Sequence, residues 1–372
     1  MKVLVAPDKF KGSLTARQVC KAVEEGLLAV LPGAEIIRLP LADGGEGSLD
    51  VLWEPLSLKR IELTVRDPLL RPVRAYYGMA GESAYIEMAV ASGLQLLTAG
   101  ERDPLKTSTY GTGELIADAL RKGAGEIYLF AGGSATNDAG LGMVAALGFR
   151  FTDSRGRELP PVGASLQRLE HICPPSKGWP ENVRFTLLGD VTNPLYGKKG
   201  AAFVYAAQKG AGAATVERLD RGLRRFARVT EKMCGRRVAA MPGSGAAGGL
   251  GAAAMIFLNA EIHSGVERIL EWSRFNEQLR QSDVVISGEG RLDEQTLKGK
   301  VVHGVAARCR SYNKPLFLLC GQSRLGKEAL RERLGARLCK TLADESVKEE
   351  EAMRDAYALL VRRAGVLGKV LK

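Results

Sequence analysis

Glu126-Ile-Tyr-Leu-Phe-Ala-Gly-Gly-Ser-Ala-Thr-Asn-Asp-Ala-Gly140 is an apolar run that breaks into a loop of small residues before a new apolar pattern begins. Ile127 to Phe130 read as a buried strand. Leu141, Met143, Val144 and Leu147 then mark a helix that Asn137 or Asp138 can cap. A strand-to-helix loop of this kind offers backbone N–H groups and the positive end of a helix to an anion. Alone, the same loop is also an ordinary tight turn. Its meaning depends on what stands at the other strand ends.

The unit repeats along the chain. Met1 to Ala6 is a short apolar strand that runs into Pro7-Asp-Lys-Phe-Lys-Gly-Ser-Leu-Thr15. Val19, Val23, Leu27 and Val30 follow at helical spacing, with Ser13 or Thr15 as cap and Pro32-Gly33 as stop. Asp8, Lys9 and Lys11 thereby fall at the carboxyl end of a strand, where open α/β sheets bind ligands. Glu35 to Leu39 is a second strand, and it leads to a glycine-bracketed turn holding Asp43 and Glu46. Two close carboxylates of this sort suit Mg²⁺, which takes one or two acids together with phosphate oxygens and water.

A different rhythm begins near residue 60. Ile61 to Arg66, Val73 to Met79 and Ala84 to Met88 are short, partly alternating segments split by Asp67-Pro68 and Gly81, which predicts an antiparallel meander opening a second domain. Tyr110 to Leu120 restores the glycine loop and amphipathic helix, and the strand quoted above comes next. Thr152 to Pro180 reads as irregular connection. Arg184 to Leu188 is a strand with Asp190 at its end, and residues 214–234 form a charged helix with Val216, Leu219, Leu223 and Phe226 as its stripe. Asp283 to Ser287 is a buried strand followed by Glu289 and Asp293, with a helix from about Lys300 to Arg310 behind it. Pro315 to Cys320 is a further strand, and the last helix runs from Val347 to about Arg363.

Two glycine motifs are discounted. Gly243, Gly245 and Gly248 fit G-x-G-x-x-G, with Glu261 where a ribose acid would stand, but only a marginal strand, Val238 to Met241, precedes them. Gly321 to Lys327 approaches a Walker A loop, yet Glu328 stands where a hydroxyl is needed, and an acid there repels phosphate.

Composition narrows the functional class. The chain has 372 residues, 45% of them hydrophobic, enough for a large core and for two domains. No apolar run reaches the roughly 18 residues of a membrane span, and the chain opens on a strand instead of a leader, so a cytoplasmic protein is expected. Six scattered cysteines, without CxxC or a histidine pair, predict mostly buried thiols and no zinc site. Three histidines, none in a motif, give no support to a histidine triad. The charge of +11 is dispersed among acids without a basic arm, which argues against nucleic acid and suits small anionic substrates.

Carboxylates, a lysine pair and several glycine loops at strand ends together suit phosphoryl transfer. That chemistry needs N–H groups and cations around phosphate, acids for Mg²⁺, and a carboxylate to deprotonate the attacking hydroxyl. Pro7-Asp-Lys-Phe-Lys-Gly-Ser-Leu, Leu41-Ala-Asp-Gly-Gly-Glu-Gly, Gly132-Gly-Ser-Ala-Thr-Asn-Asp, Asp190-Val-Thr-Asn-Pro-Leu and Gly288-Glu-Gly-Arg-Leu-Asp, in this order, resemble the bacterial glycerate kinase family of the type-one class. The resemblance covers nearly the whole chain. It implies phosphorylation of D-glycerate by ATP and Mg²⁺, with the 2-position favoured. It also implies an α/β fold of two domains, in which a Rossmann- or flavodoxin-like parallel-sheet domain built from both chain ends (1–60 and 283–372) joins a central mixed α/β domain (61–282).

The expected site lies in the cleft of that fold, with Asp8, Lys11, Asp43 and Glu46 facing Ser134, Thr136, Asn137 and Asp190. Lys11 would hold a phosphate or the glycerate carboxylate, and Asp190 is the expected general base. Asp43, Glu46, Glu289 and Asp293 form the pool of metal ligands, while Ser13, Gly132, Gly133, Gly243 and Gly245 would contact substrate or nucleotide. Position 9 is Lys where some relatives carry Ser, which favours Lys11 over Lys9. Two rival readings remain open, an NAD-dependent oxidoreductase using Gly243 to Gly248 and a non-enzymatic regulator that binds nucleotides or anions. Oligomeric state is open as well.

Overall fold

Val3, Leu4 and Val5 are all fully buried, as a strand covered on both faces requires. The strand Lys2–Val5 lies in a sheet of five parallel strands, between Glu35–Arg38 and Val284–Ser287; Leu316–Cys320 and Ala336–Thr341 complete it. Counted along its own chain, this sheet has the order 2-1-3-4-5, the flavodoxin-like form of a doubly wound fold. Val3, Val5, Val284, Ile286, Phe317 and Leu319 pack against the helices Ala16–Leu28 and Ala356–Leu371. These helices touch so closely that a Cβ on Gly26 would lie 2.1 Å from the Val361 carbonyl oxygen.

The structure, a computed structural model, describes residues 1–176 and 182–372. Two compact units divide them: Met1–Asp43, Asp50–Leu56 and Gly265–Lys372 form one, and Gly44–Leu49 with Ser57–Ser264 the other. The helices Gly265–Trp272 and Phe275–Gln281 fall with the chain ends, although the sequence reading put its boundary at 283. Packing explains the difference. Val266 seats on Gly304, where a Cβ would come within 2.7 Å of it, and Arg308 pairs with Glu267 at 2.6 Å.

The second unit is built on a six-stranded mixed sheet. Glu261–His263, Arg184–Leu188, Glu126–Phe130 and Ser83–Glu87 run parallel, and Pro72–Ala80 and Lys59–Arg66 continue the sheet as the expected antiparallel meander. Ile127, Leu129, Phe185 and Leu187 lie in its core with Leu115, Met143, Leu223 and Phe226 from the flanking helices.

Four local expectations need correction. Part of the supposed irregular connection is a hairpin, Arg150–Thr152 with His171–Cys173, and a 3₁₀ segment Gly163–Arg168; residues 177–180 of that stretch lie outside the described residues. The last helix is two, Glu349–Arg354 and Ala356–Leu371, because Asp355 leaves helical geometry at φ −104°, ψ 21°. Val238 to Met241 is turn and not strand. Three of the six cysteines are buried, Cys20, Cys309 and Cys320, while Cys234 is exposed; all six are free thiols. Among the described residues no helix is long and apolar enough to cross a membrane.

Candidate active site

The strand order 2-1-3-4-5 puts its switch point between strands 1 and 3, and the loops leaving these two carry acids. Asp8 follows Lys2–Val5 and Glu289 follows Val284–Ser287, at 6% and 5% exposure. The Asp8 N–H donates to the Gly288 carbonyl oxygen at 2.8 Å, and the Ser287 hydroxyl donates to the Ala6 carbonyl oxygen at 2.7 Å, so the loops are fastened side by side.

Like charge accumulates there. Burial first, then the charges of Asp43 and Glu289, pushes the Asp8 carboxyl well above the usual carboxylate range. Burial also raises Glu289, against Lys300 at 3.7 Å and a 2.5 Å hydrogen bond from the Thr296 hydroxyl, and Asp43 and Asp293 raise it further. Asp43 and Asp293 therefore share the surroundings of Glu289. Asp293 itself caps a turn, accepting from the Gln295 N–H at 2.8 Å. Lys11 is exposed beside Gly290, and the Ser13 hydroxyl is turned back onto the Phe10 carbonyl oxygen at 3.1 Å. Among the described residues no three His, Cys, Asp or Glu side chains converge as a ready metal site.

The glycine loop of the second unit is arranged differently. Gly132 and Gly133 pack on the turn that holds Glu46: a Cβ on Gly132 would lie 2.3 Å from the Gly45 Cα, and one on Gly133, at φ +77°, 3.4 Å from the Glu46 Cβ. The buried carboxylate of Glu87 ties the same turn down, accepting from the Gly47 N–H at 2.9 Å. Two motifs far apart in sequence thus meet within one unit.

The expected anion cradle already holds an anion of its own. The helix after the loop is only Leu141–Ala146, its N-cap is Gly140, and neither Asn137 nor Asp138 occupies that position. Fully buried Asp138 instead accepts hydrogen bonds from the N–H groups of Gly140 and Gly142, both at 3.1 Å, and from the N–H and hydroxyl of Thr109, both at 2.8 Å. Burial raises its carboxyl even so, the four hydrogen bonds acting against that shift.

Lys209 faces this loop. It is 2% exposed, and its Nζ donates to the Ser134 Oγ at 2.8 Å and to the Thr136 carbonyl oxygen at 2.6 Å. Burial pulls its ammonium down to about 7 while the Asp138 charge acts the other way. Thr136 and Asn137 are wholly buried, and among the described residues Thr136 Oγ1 and both Asn137 amide atoms have no hydrogen-bond partner. Sequence reasoning missed Lys209, Glu87 and Asp138 as organisers of the loop. A lone lysine in Ala-Ala-Gln-Lys-Gly carries no signal of burial, but the acid of the Asn137-Asp138 pair was on view.

Asp190 stands at the end of Arg184–Leu188, where the Ser264 hydroxyl donates to its Oδ1 at 2.5 Å. Gly243 and Gly245 serve close approach: a Cβ on Gly245 would lie 2.3 Å from the Pro194 carbonyl oxygen, and its N–H donates to the Asn193 carbonyl oxygen at 3.0 Å. The dinucleotide fingerprint lacks its context. A turn precedes it, and Glu261 pairs with His263 at 2.9 Å.

Residues 3–372 match the model of the glycerate kinase family. The chain is 43% identical over 366 residues to a glycerate kinase of Halalkalibacterium halodurans, covering 97% of this chain and 96% of that one. It is 42% identical over 326 residues to the glycerate 2-kinase of Escherichia coli K12, covering 86% and 85%. A crystal structure assigned to glycerate kinase 2 of Salmonella typhimurium LT2 superposes with a TM-score of 0.82 at 39% identity, covering all of this chain and 98% of that one.

Proposed function

Because this chain belongs to the glycerate kinase family, we propose that it transfers the terminal phosphoryl group of ATP to the 2-hydroxyl of D-glycerate with the help of Mg²⁺. The observation that carries the reading is the pair of buried acids at the switch point, Asp8 and Glu289, with Asp43 close enough to raise both. Hard oxygen donors whose mutual repulsion a divalent cation would relieve fit Mg²⁺, and Mg²⁺ needs only one or two of them beside phosphate oxygens and water. Glu289 and Asp43 are the ligands proposed first, with Asp293 and Glu46 as the rest of the pool. Bound there, the ion would offset the negative charge of the phosphates.

The residues of the chain supply the rest. Lys11, an exposed ammonium on the first loop, would hold a phosphate or the glycerate carboxylate. Asp190, oriented by Ser264, would accept the proton of the glycerate 2-hydroxyl. As that oxygen bonds to the γ-phosphorus, the bond from phosphorus to its bridging oxygen breaks and ADP leaves with the electron pair. Ser134, Thr136 and Asn137 are the proposed substrate contacts of the second unit, a reading supported by three buried polar atoms on Thr136 and Asn137 that have no partner among the described residues. Gly132 and Gly133 let their backbone come near to the Glu46 turn, and Asp8 stands beside Glu289 as a further buried carboxyl oxygen donor.

Asp190→Asn tests the base. Removing a general base lowers turnover by about 10²–10⁴-fold, and an unchanged rate at saturating glycerate would remove Asp190 from that role. Phosphorus NMR of the product decides the position of transfer: the 2-phosphate is expected, and the 3-phosphate would overturn the regiochemistry alone.

A further inference from the structure

Away from the acids and glycine loops, the carboxyl-terminal half of the helix Ala213–Cys234 and the segment 236–240 line a half-open cavity of about 500 Å³. That size falls within the range of small-molecule sites. Four arginines line it, Arg224, Arg228, Arg236 and Arg237, together with Tyr196 and a single acid, Glu231.

The ion pairing around it is unequal. Arg224 is spoken for, since its Nε donates to the buried Asp220 at 2.8 Å and its guanidinium lies 4.5 Å over the Tyr196 ring. Arg237 donates to Glu231 at 2.5 Å, which neutralises the one lining acid. Among the described residues Arg236 meets only the neutral Asn259 amide oxygen, at 3.2 Å, and Arg228 has no partner. Two guanidinium groups thus line one cavity without a counter-charge. The negative end of the helix opposes an anion, but Gly235 closes that end by donating to the Glu231 carbonyl oxygen at 2.8 Å.

We propose that this cavity is a second anion site that binds a small phosphate-bearing molecule through Arg228 and Arg236. The planar fork of arginine matches phosphate oxygens in pairs, and two forks on one cavity select a ligand with more than one charge. The floor adjoins the loop that carries Asp190, because the Leu195 N–H donates to the Ala239 carbonyl oxygen at 2.9 Å and Tyr196 lies on the wall. An occupant would therefore press on a loop whose conformation matters elsewhere.

The test is calorimetric titration of the full chain with inorganic pyrophosphate, without Mg²⁺ and at low salt. Wild type, an Arg228→Ala/Arg236→Ala double variant and an Arg218→Ala/Arg221→Ala control on the same helix, outside the cavity, are compared. All four arginines are exposed, and circular dichroism checks that both variants fold as wild type does. The expected result is a binding event that weakens at least tenfold in the cavity variant and stays within about twofold in the control. Absent binding in wild type, equal binding in wild type and cavity variant, or equal loss in the control would overturn the site. Citrate bound as tightly as pyrophosphate would overturn the assignment to phosphate.

Discussion

The acids at the strand ends of the first unit and the glycine loop of the second have opposite electrostatic designs. Asp8, Asp43 and Glu289 crowd like charges, and the carboxyls of Asp8 and Glu289 rise first through burial and then through the acids around them. In the loop 132–138 the charges are matched: Asp138 takes four hydrogen bonds, Lys209 answers it, and glycines hold the backbone together. The first arrangement stores repulsion that a cation can release, whereas the second is rigid before any ligand arrives. A glycine-rich loop at a strand end is thus no proof of a phosphate cradle, since its own aspartate can occupy the helix end.

The comparison can be broken most severely at Gly248, whose φ is +71° and whose Cβ would lie 2.1 Å from the Thr136 carbonyl oxygen. Gly248→Ala should cost about 3 kcal/mol, seen as a lower denaturant midpoint. A midpoint like that of wild type would mean the loop is not rigidly packed. Next comes Lys209→Met, which leaves the Ser134 hydroxyl and the Thr136 carbonyl oxygen unpaired; about 2 kcal/mol of stability and tenfold or more in turnover should be lost.

Lys209 also predicts a pH dependence. Its folded value of about 7 lies below its ordinary 10.5, so between these values the unfolded chain binds the extra proton. The cost of burying the ammonium is full below pH 7 and is relieved as pH rises toward 10.5. Wild-type stability should therefore gain on Lys209→Met from pH 7 to 9.5 in guanidinium titrations, and parallel curves would contradict the burial.

Asp8→Asn sharpens the other side. It removes one of the crowded charges while keeping an oxygen to accept the Lys9 N–H bond of 2.7 Å. The ligand-free protein should become more stable by about 1 kcal/mol while the Mg²⁺ dependence of turnover moves to higher concentration. Loss of stability would mean that the acids are not in conflict. The smallest effect is expected at Thr15, whose capping box with Gln18 begins the helix Ala16–Leu28; Thr15→Ala should cost about 1 kcal/mol and leave turnover unchanged.

Much of the sheet architecture was legible because its central strands are continuous apolar runs. Val284–Ser287 and Leu316–Cys320 are buried along their whole length. Ala336–Thr341 escaped notice because Arg337 and Lys340 interrupt its pattern, as an edge strand allows, and Glu261–His263 is too short for any periodicity. At the site, strand-end acids such as Asp8 and Glu289 could be read from position alone. What Asp138 and Lys209 do could not, since the reach of the one past the helix cap and the burial of the other arise only from tertiary packing.

The central claim is phosphoryl transfer to glycerate, and release of ADP followed with and without D-glycerate tests it most directly. With ATP and Mg²⁺ present, the account predicts ADP release that depends on D-glycerate and collapses when Mg²⁺ is chelated. No glycerate-dependent release from folded protein would contradict it.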